Sequence, residues 1–446
     1  MYGGSSHTKL IENSYGQLII SSQPTVIYDN IKVNHPLIKL LHEYVKKMDV
    51  VGDGASFFVM VVSELLTETM FIIDRGIKPA LLANSLREIY KELDNISSGL
   101  KIQHKIDFND KESVSKVIRG TVKDIKLEKF IVEGISQTQS FDAEKIRVCK
   151  VACGSVEDSY VVEGMVLNRF PEGEVKHVNK ATTSIYNCPL DVSRTELKGT
   201  VLMRTAEDLL SFSKEENKNI KEVVESIDAD VIICSGKVEK VYLDFLNKAR
   251  KLVFKVVSKH DLRRIRELVG GSISSVLSPQ KRGSMGLVDE VTTFIEGDIK
   301  YTRFICKNKK IYTLVLKNYV QAMLDEQERI IQKALTVLDK NTTLNNIELV
   351  EGAGKFERQL SKSFLSGYDN SVDEKHLAYK CMGKALKTFK VEDVEVYDVY
   401  SIKLKALKYA TEFIAILFET SDYLIGKPEP MNISPRTNQN WDEDDH

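Results

Sequence analysis

The sequence predicts a multi-domain α+β protein in which helix-rich ends flank a middle region of alternating strands and helices. Its 446 residues exceed what one hydrophobic core usually holds, so two or three domains are expected. Between residues 161 and 269, short apolar strands alternate with helical patterns, which is typical of an α/β domain. On both sides of this region the spacing of apolar residues is mainly helical.

Composition gives no reason to expect a nucleic-acid or membrane partner. Charged residues make up 28% of the chain and the formal net charge is −1, so charge gives no reason to expect nucleic acid or a membrane. The uninterrupted apolar run from Phe57 to Val62 is too short to span a bilayer. The start of the chain lacks the pattern of a signal peptide. The six cysteines show no zinc-site spacing, and we expect reduced thiols.

A turn at Gly52-Asp53-Gly54 opens directly into the most apolar helical stretch of the chain, in which Val59 and Leu65 are predicted core residues. Free backbone N–H groups at a helix start, together with two glycines, allow a phosphate to approach closely. The Asp53 carboxylate is a hard-oxygen ligand of the kind that Mg²⁺ prefers. The simpler interpretation from spacing alone is that Asp53 caps a buried helix.

The stretch Gly52-Asp53-Gly54-Ala55-Ser56 resembles the G-D-G-T-T segment of group II chaperonins, the stacked-ring folding machines of archaea and the eukaryotic cytosol. In that family the aspartate holds the Mg²⁺ of the nucleotide. Further segments match the family in the same order along nearly the whole chain; they include Val33-Asn34-His35-Pro36, 146–151, 191–205, 258–265, 350–357 and the last helix, 399–425.

The resemblance implies ATP and Mg²⁺ as cofactors. Gly3 and Lys9 match the family's phosphate loop, and Gly352 and Gly354 match its second glycine turn, where Ala353 replaces the middle glycine. The implied cofactor-binding residues are Gly3, Lys9, Gly52, Asp53, Gly54, Ala55, Ser56, Gly352 and Gly354, with Asp53 as the metal ligand. The family's G-[LV]-[DN] element, which contacts base and ribose, is not found before Tyr397.

Gln23 and Lys333 stand where the family has its two catalytic aspartates, so no catalytic residue is expected. The Gln23 amide can orient water but cannot accept a proton, and the Lys333 ammonium has no free lone pair near neutral pH. We therefore expect nucleotide to be held weakly or persistently and hydrolysed very slowly. If the register differs, Asp339 or another carboxylate would take the role.

The resemblance also implies three nested domains. Residues 1–112 and 357–446 would form the equatorial domain, which is mostly helical and ends in an acidic tail. Residues 113–161 and 312–356 would form the small intermediate domain, and 162–311 the α/β apical domain that binds clients.

Within the apical domain, a helical protrusion is expected near Leu209 to Val224, as a built-in lid. One helix is conspicuously basic and is predicted as either a solvated face or a client-binding face; its cations are Lys259, Arg263, Arg264 and Arg266.

The function that the resemblance implies is that of a subunit of the cytosolic hetero-oligomeric double-ring chaperonin, which assists ATP-dependent folding of proteins such as actin and tubulin. The expected partners are paralogous subunits and non-native client proteins, with no nucleic acid and no membrane, in the cytoplasm. One alternative is a structural ring subunit that binds no nucleotide. A stand-alone ATPase or kinase is disfavoured, because the sequence has no G-x-x-x-x-G-K-[ST] loop.

Overall fold

The computed structural model of the protein describes residues 7–142, 144–191, 218, 220–307, 311–343, 345–366 and 374–424. Gly3, most of the expected protrusion between Leu209 and Val224, and the acidic tail lie outside these ranges. Within them the chain is a mixed α+β protein, as the sequence predicts.

The helices bury one apolar face each and are, in chain order, α1 (Pro24–Asn30), α2 (Pro36–Val51), α3 (Ala55–Ile73), α4 (Pro79–Ser97), α5 (Lys111–Ile118), α6 (Ile125–Thr138), α7 (Lys240–Lys248), α8 (Lys259–Val269), α9 (Gln321–Asn341), α10 (Lys355–Ser366), α11 (Glu374–Lys387) and α12 (Tyr400–Glu419).

The strands are, in chain order, β1 (Lys9–Glu12), β2 (Leu18–Ser21), β3 (Ile102–Lys105), β4 (Ile146–Val151), β5 (Tyr160–Glu163), β6 (Met165–Leu167), β7 (Val178–Tyr186), β8 (Val231–Cys234), β9 (Leu252–Lys255), β10 (Ile273–Ser274), β11 (Gly286–Glu296), β12 (Ile299–Ile305), β13 (Tyr312–Lys317), β14 (Asn346–Glu351) and β15 (Tyr397–Val399).

The largest core lies among the helices of the two chain ends, where α12 packs against α2, α3 and α4, and α11 packs against α3 and α10. Leu65 is fully buried there, which confirms that prediction, whereas Val59 is only partly buried. A three-stranded sheet in the order β15-β14-β3 packs on this core and joins the two chain ends.

Helix α3 has the length and apolarity of a membrane-spanning helix, with a mean hydropathy of 1.7, and it is the one such helix among the described residues. The apolar run from Phe57 to Val62 is much shorter than this helix, because scattered polar residues interrupt the run without ending the helix. A core helix passes the same test, and Phe58, Val61 and Leu65 on its inner face are fully buried in the protein.

The middle of the chain forms a sheet in the order β6-β12-β11-β7-β8-β9, with β10 added beside β7. Strands β7, β8 and β9 are parallel, so the predicted alternation of strands and helices is confirmed there. The long antiparallel pair β11–β12 was not predicted, because polar residues interrupt its alternation. Its tight turn at Gly297 and Asp298 places both residues at positive φ, 57° and 63°.

A third sheet, in the order β4-β13-β5, lies between these two parts, and β4 runs parallel to β13 from the pair Ile146–Tyr312. Helix α4 begins at Pro79, because Gly76 takes φ 97° and proline suits the first helical turn. The six cysteines, all within the described ranges, form no disulfide. The predicted domain boundaries stay predictions.

Candidate functional site

The turn Gly52-Asp53-Gly54 joins α2 to α3 and has the backbone conformation that its glycines permit. Gly52 has φ 113° and Gly54 has φ 89°, a region that other residues rarely adopt. A Cβ atom on Gly54 would lie 2.7 Å from side-chain carbons of Ile402 and Met48. The glycines therefore let the turn pack closely against α2 and α12, and they leave the first N–H groups of α3 at its positive dipole end.

One face of α9 organises this site. Its residues lie three or four positions apart and so share one side of the helix; they are Glu326, Arg329, Lys333 and Val337. The Ser22 N–H donates to Glu326 Oε1 at 3.0 Å, and Arg329 Nη2 donates to the Ile20 carbonyl at 3.0 Å. These contacts attach α9 to the end of β2, next to Gln23.

Lys333 extends from the same face to Asp53. Its Nζ atom lies 2.6 Å from Asp53 Oδ1, and the Gly54 N–H donates to the same oxygen at 2.5 Å. The two side chains are 21% and 25% exposed, so the ion pair is partly shielded from solvent. The structure thus brings together two residues 280 positions apart that the sequence assigned separately to the metal site and to catalysis.

A second lysine contributes to the charge around this pair. Burial lowers the pKa of Lys123, in the loop between α5 and α6, and the nearby charge of Lys333 lowers it further, while Asp53 and Glu392 oppose the shift. Lys123 was not singled out from the sequence, since a lysine in a charged loop carries no distinctive signal. The surroundings of Asp53 therefore hold two ammonium groups.

Gln23 occupies the N-cap position of α1 without a side-chain capping hydrogen bond, and this residue is 8% exposed. Its Nε2 atom has no hydrogen-bond partner among the described residues. Two residues later, Thr25 Oγ1 donates to Asp49 Oδ1 at 3.4 Å, which places this segment beside the end of α2. Lys9 is exposed at the start of β1, opposite Ser21.

The second glycine turn, at Gly352 to Gly354, ends β14 and starts α10. The Gly352 N–H donates to the Val396 carbonyl at 2.7 Å, and a Cβ atom on Gly352 would lie 3.2 Å from Asp398 Oδ2. Ala353 has φ 54°, the left-handed conformation that a glycine adopts without strain. The turn is thus kept despite the alanine, and it lies against Asp398.

A buried ionic cluster links the two glycine turns. Lys403 Nζ lies 2.5 Å from Glu357 Oε1 and 3.0 Å from Asp398 Oδ2, and it also lies 3.9 Å from the centre of the Phe57 ring. Burial raises the pKa of Asp398 against the opposing charge of Lys403, and the negative charges of Glu357 and Asp53 raise it further. Asp53 and Asp398 therefore lie within electrostatic range of each other.

This cluster was not predicted from the sequence, although one signal was present. Lys403 shares a helical face with Ala406, Leu407 and Ala410, all fully buried, so a charged residue stands on an apolar stripe. A charge in such a place needs buried partners. Asp398 and Glu357 carried no comparable signal.

The donor set around Asp53 does not fit a divalent cation while Lys333 remains in place. Mg²⁺ is usually held by one or two carboxylates together with substrate phosphates, and it needs their negative charge. Here an ammonium already neutralises Asp53. Two unit charges about 4 Å apart interact by about 4 kcal/mol at an effective dielectric of about 20, and a divalent ion would double that repulsion. Among the described residues no group of three or more His, Cys, Asp or Glu side chains offers a metal site.

The basic helix α8 packs against the middle sheet. Lys259, Arg263 and Arg266 are exposed. Arg264 is not part of that surface, because its Nη1 donates to Asp261 Oδ1 at 3.2 Å and its Nε to the Glu144 carbonyl at 3.2 Å.

Asp261 also joins α8 to the three-stranded sheet. Its two carboxylate oxygens accept from Arg147 of β4 at 3.1 and 3.2 Å. Burial alone would raise the pKa of Asp261, but the hydrogen bonds and charges of Arg147 and Arg264 outweigh it and lower that pKa. This ionic link fixes the start of α8, so the exposed cations have a rigid support.

Comparison with known proteins identifies the family to which the chain belongs. The profile of the TCP-1/cpn60 chaperonin family matches residues 1–391. T-complex protein 1 subunit theta of Encephalitozoon cuniculi (strain GB-M1) is 67% identical over 446 residues, covering 100% of this chain and 92% of that protein. Subunits of the same name are 30% identical in Saccharomyces cerevisiae, over 80% of this chain and 68% of that protein, and 26% identical in Mus musculus, over 99% and 91%. The chain belongs to the TCP-1/cpn60 chaperonin family.

Proposed function

We propose that the chain is a subunit of a cytosolic, hetero-oligomeric double-ring chaperonin that assists ATP-dependent folding of proteins such as actin and tubulin, and that its own ATP hydrolysis is very slow. Membership of the family and the similarity to theta subunits along the whole chain support the first part. The second part rests on one observation, the 2.6 Å ion pair between Lys333 and Asp53.

The ion pair opposes hydrolysis for a chemical reason. Attack of water on a γ-phosphate is assisted by a group that orients the water and accepts its proton, and general bases contribute about 10²- to 10⁴-fold. Lys333 is a cation paired with a carboxylate, and Gln23 is a neutral amide. Neither accepts a proton near neutral pH, so the chain lacks a base at the two positions where the family has one.

ATP is the proposed ligand, with its phosphates at the start of α3; Mg²⁺, which the resemblance implies, does not fit beside Asp53 while Lys333 is paired with it. The backbone N–H groups beyond Gly54 suit phosphate oxygens. The residues proposed to bind it are those that the resemblance implies: Gly3, which lies outside the described residues, and Lys9, Gly52, Asp53, Gly54, Ala55, Ser56, Gly352 and Gly354.

The β1–β2 hairpin supports assembly with paralogous subunits. Among the described residues its two strands pair only with each other, and Arg329 donates to the Ile20 carbonyl on β2, so the strand edge without a backbone partner is the outer edge of β1. Leu10, Tyr15 and Leu18 on this hairpin are 67%, 87% and 60% exposed. Exposed strand edges with apolar side chains favour pairing with another chain, and a heterologous contact repeated around a rotation closes a ring.

Non-native proteins are the proposed clients of the exposed cations of α8, Lys259, Arg263 and Arg266. Arg264 is engaged in the ionic link with Asp261, so we propose only the other three cations as client-binding residues. Replacing these three with glutamate should weaken client capture by the assembled ring without changing ring size. A triple variant that captures clients as well as the wild type would contradict the assignment.

A structural ring subunit that binds no nucleotide is the second candidate. It is favoured by Ala353 in a left-handed conformation and by an Asp53 carboxylate that is already neutralised. Equilibrium binding of radiolabelled ATP to the purified chain separates the two candidates, because any saturable binding excludes the second one.

Two measurements test the proposal. Sizing of the native complex should place the chain in a ring-sized particle with its paralogues, and a stable monomer or dimer would contradict it. Single-turnover hydrolysis by the full chain should be at least about 10²-fold slower than that of a paralogue with both aspartates. The double variant Lys333→Asp with Gln23→Asp should be faster than the wild type, while Lys408→Met, which removes a surface lysine from its pair with Asp94, should not change the rate.

A further inference from the structure

The fold, rather than side-chain mobility, places the Lys333 ammonium against Asp53. On one side of Lys333, α9 is attached to β2 through Glu326 and Arg329. On the other side, a Cβ atom on Gly52 would lie 3.0 to 3.1 Å from Val337, so the turn and the helix are in close contact. The helix cannot slide along the turn without breaking these contacts, and the ammonium is held where it is.

The Lys333 ammonium occupies the position at Asp53 where a metal cation would bind. Asp53 Oδ1 accepts from Lys333 at 2.6 Å and from the Gly54 N–H at 2.5 Å. Lys123 adds a second positive charge nearby, close enough for Lys333 and Asp53 to act on it. A polyphosphate that arrived at the start of α3 would meet two ammonium groups and the positive end of a 19-residue helix.

We infer that Lys333 replaces the divalent cation at Asp53, so that this subunit binds ATP as a metal-free polyphosphate and does not need Mg²⁺ for binding. The inference rests on the proposed function, since it takes ATP as the ligand of this site. An ammonium is a compact point charge that pairs well with phosphate oxygens. Unlike a metal ion, it does not depart with the product or with a chelator, so binding becomes independent of Mg²⁺ concentration.

The test is equilibrium binding of radiolabelled ATP to the purified full chain, once with excess EDTA and once with excess Mg²⁺. We expect a Kd in EDTA no more than 3-fold weaker than in Mg²⁺, or tighter, because Mg²⁺ must leave the nucleotide before it binds. A Kd more than 3-fold weaker in EDTA overturns the inference, and so does the absence of binding in both buffers.

Two variants sharpen the test. Lys333→Asp places a second carboxylate next to Asp53 and removes the ammonium between them. ATP binding by this variant should be at least 10-fold weaker in EDTA than in Mg²⁺. Lys333→Met keeps the length of the side chain without its charge and should weaken binding in EDTA at least 10-fold relative to the wild type. Binding in EDTA that is unchanged in Lys333→Met overturns the inference.

Lys408→Met is the matched control, because Lys408 is 22% exposed, Lys333 is 21% exposed, and each pairs with one aspartate. It should bind ATP as the wild type does in both buffers. The inference and the proposed function fail separately: loss of binding in EDTA with slow hydrolysis overturns only the inference, whereas fast hydrolysis or absence from the ring overturns the proposed function.

Discussion

Two lysines, Lys333 and Lys403, make similar contacts in very different surroundings. Lys403 lies 2.5 Å from Glu357 and 3.0 Å from Asp398, and Lys403 and Glu357 are 6% and 0% exposed. Lys333 lies 2.6 Å from Asp53, and these two side chains are 21% and 25% exposed. Lys403 and Glu357 are enclosed by the helical core, with Asp398 22% exposed at its edge, while the second pair lies at the start of α3, where ligand phosphates are proposed to bind.

Burial, and not contact distance, separates a structural ion pair from one that is available for function. Removing one member of a fully buried pair leaves a charge that water cannot solvate. Removing one member of a partly exposed pair leaves a charge that water and ions can reach, so the cost in stability is small. The Lys403 cluster should therefore govern folding, and the Lys333 pair should govern ligand chemistry.

The largest expected effect is on stability, in the buried cluster. Lys403→Met leaves the fully buried Glu357 carboxylate and the partly exposed Asp398 carboxylate without their shared cation, and it should lower the free energy of unfolding by about 3–5 kcal/mol. Urea unfolding followed by circular dichroism measures this loss. A Lys403→Met protein as stable as the wild type would remove the contrast between the two clusters.

The next effect concerns Mg²⁺ itself. Lys333→Asp places two carboxylates beside the turn, so Mg²⁺ should bind and stabilise this variant by about 2.7 kcal/mol at a hundredfold excess over its Kd. Wild type and Lys408→Met should show no change in unfolding midpoint on addition of MgCl₂. An equal response of all three proteins would show that Lys333 does not control access of the metal to Asp53.

A smaller effect is expected at Asp53. Asp53→Ala removes a partly exposed pair and one hydrogen bond to the Gly54 N–H, so it should lower the free energy of unfolding by about 0.5–2 kcal/mol. ATP binding should weaken or change its dependence on Mg²⁺, which the same binding assay measures. A cost as large as that of Lys403→Met would mean that Asp53 is mainly structural, as a helix cap or core partner.

The smallest effect is a pH dependence in the buried cluster. Because burial raises the pKa of Asp398 above its ordinary value of 3.8, the folded chain holds this proton more tightly than the unfolded chain does. As pH falls from the raised pKa towards 3.8, the wild type should therefore gain stability relative to Asp398→Asn, with a slope no steeper than about 1.4 kcal/mol per pH unit. Unfolding free energies of both proteins across acid pH measure it, and a relative loss of wild-type stability would contradict the raised pKa.

Local sequence signals predicted much of the fold. The alternation of short strands and helices in the middle region and the start of α3 at the glycine turn were both predicted, because apolar runs and glycines act over a few residues. The β11–β12 pair was missed because its polar residues are paired across strands, which no local pattern records.

The candidate site was partly predictable for the same reason. The resemblance assigned Asp53 to the metal site and Lys333 to a catalytic position, and the structure places the two side chains in contact. That this contact is an ion pair on a residue expected to hold a metal follows only from the register of α9 against the turn. Lys123 and Lys403 join the site through packing between distant segments, and neither was assigned to it, although Lys403 lies in the matched helix 399–425.

The most direct test of the central claim is an experimental structure of the chain with ATP and Mg²⁺, at a resolution that shows bound ions. We predict that Lys333 Nζ stays within about 3 Å of Asp53, or that it bridges Asp53 to a phosphate oxygen, and that no metal ligates Asp53. A Mg²⁺ ion about 2.1 Å from an Asp53 oxygen, with Lys333 turned away, would contradict it.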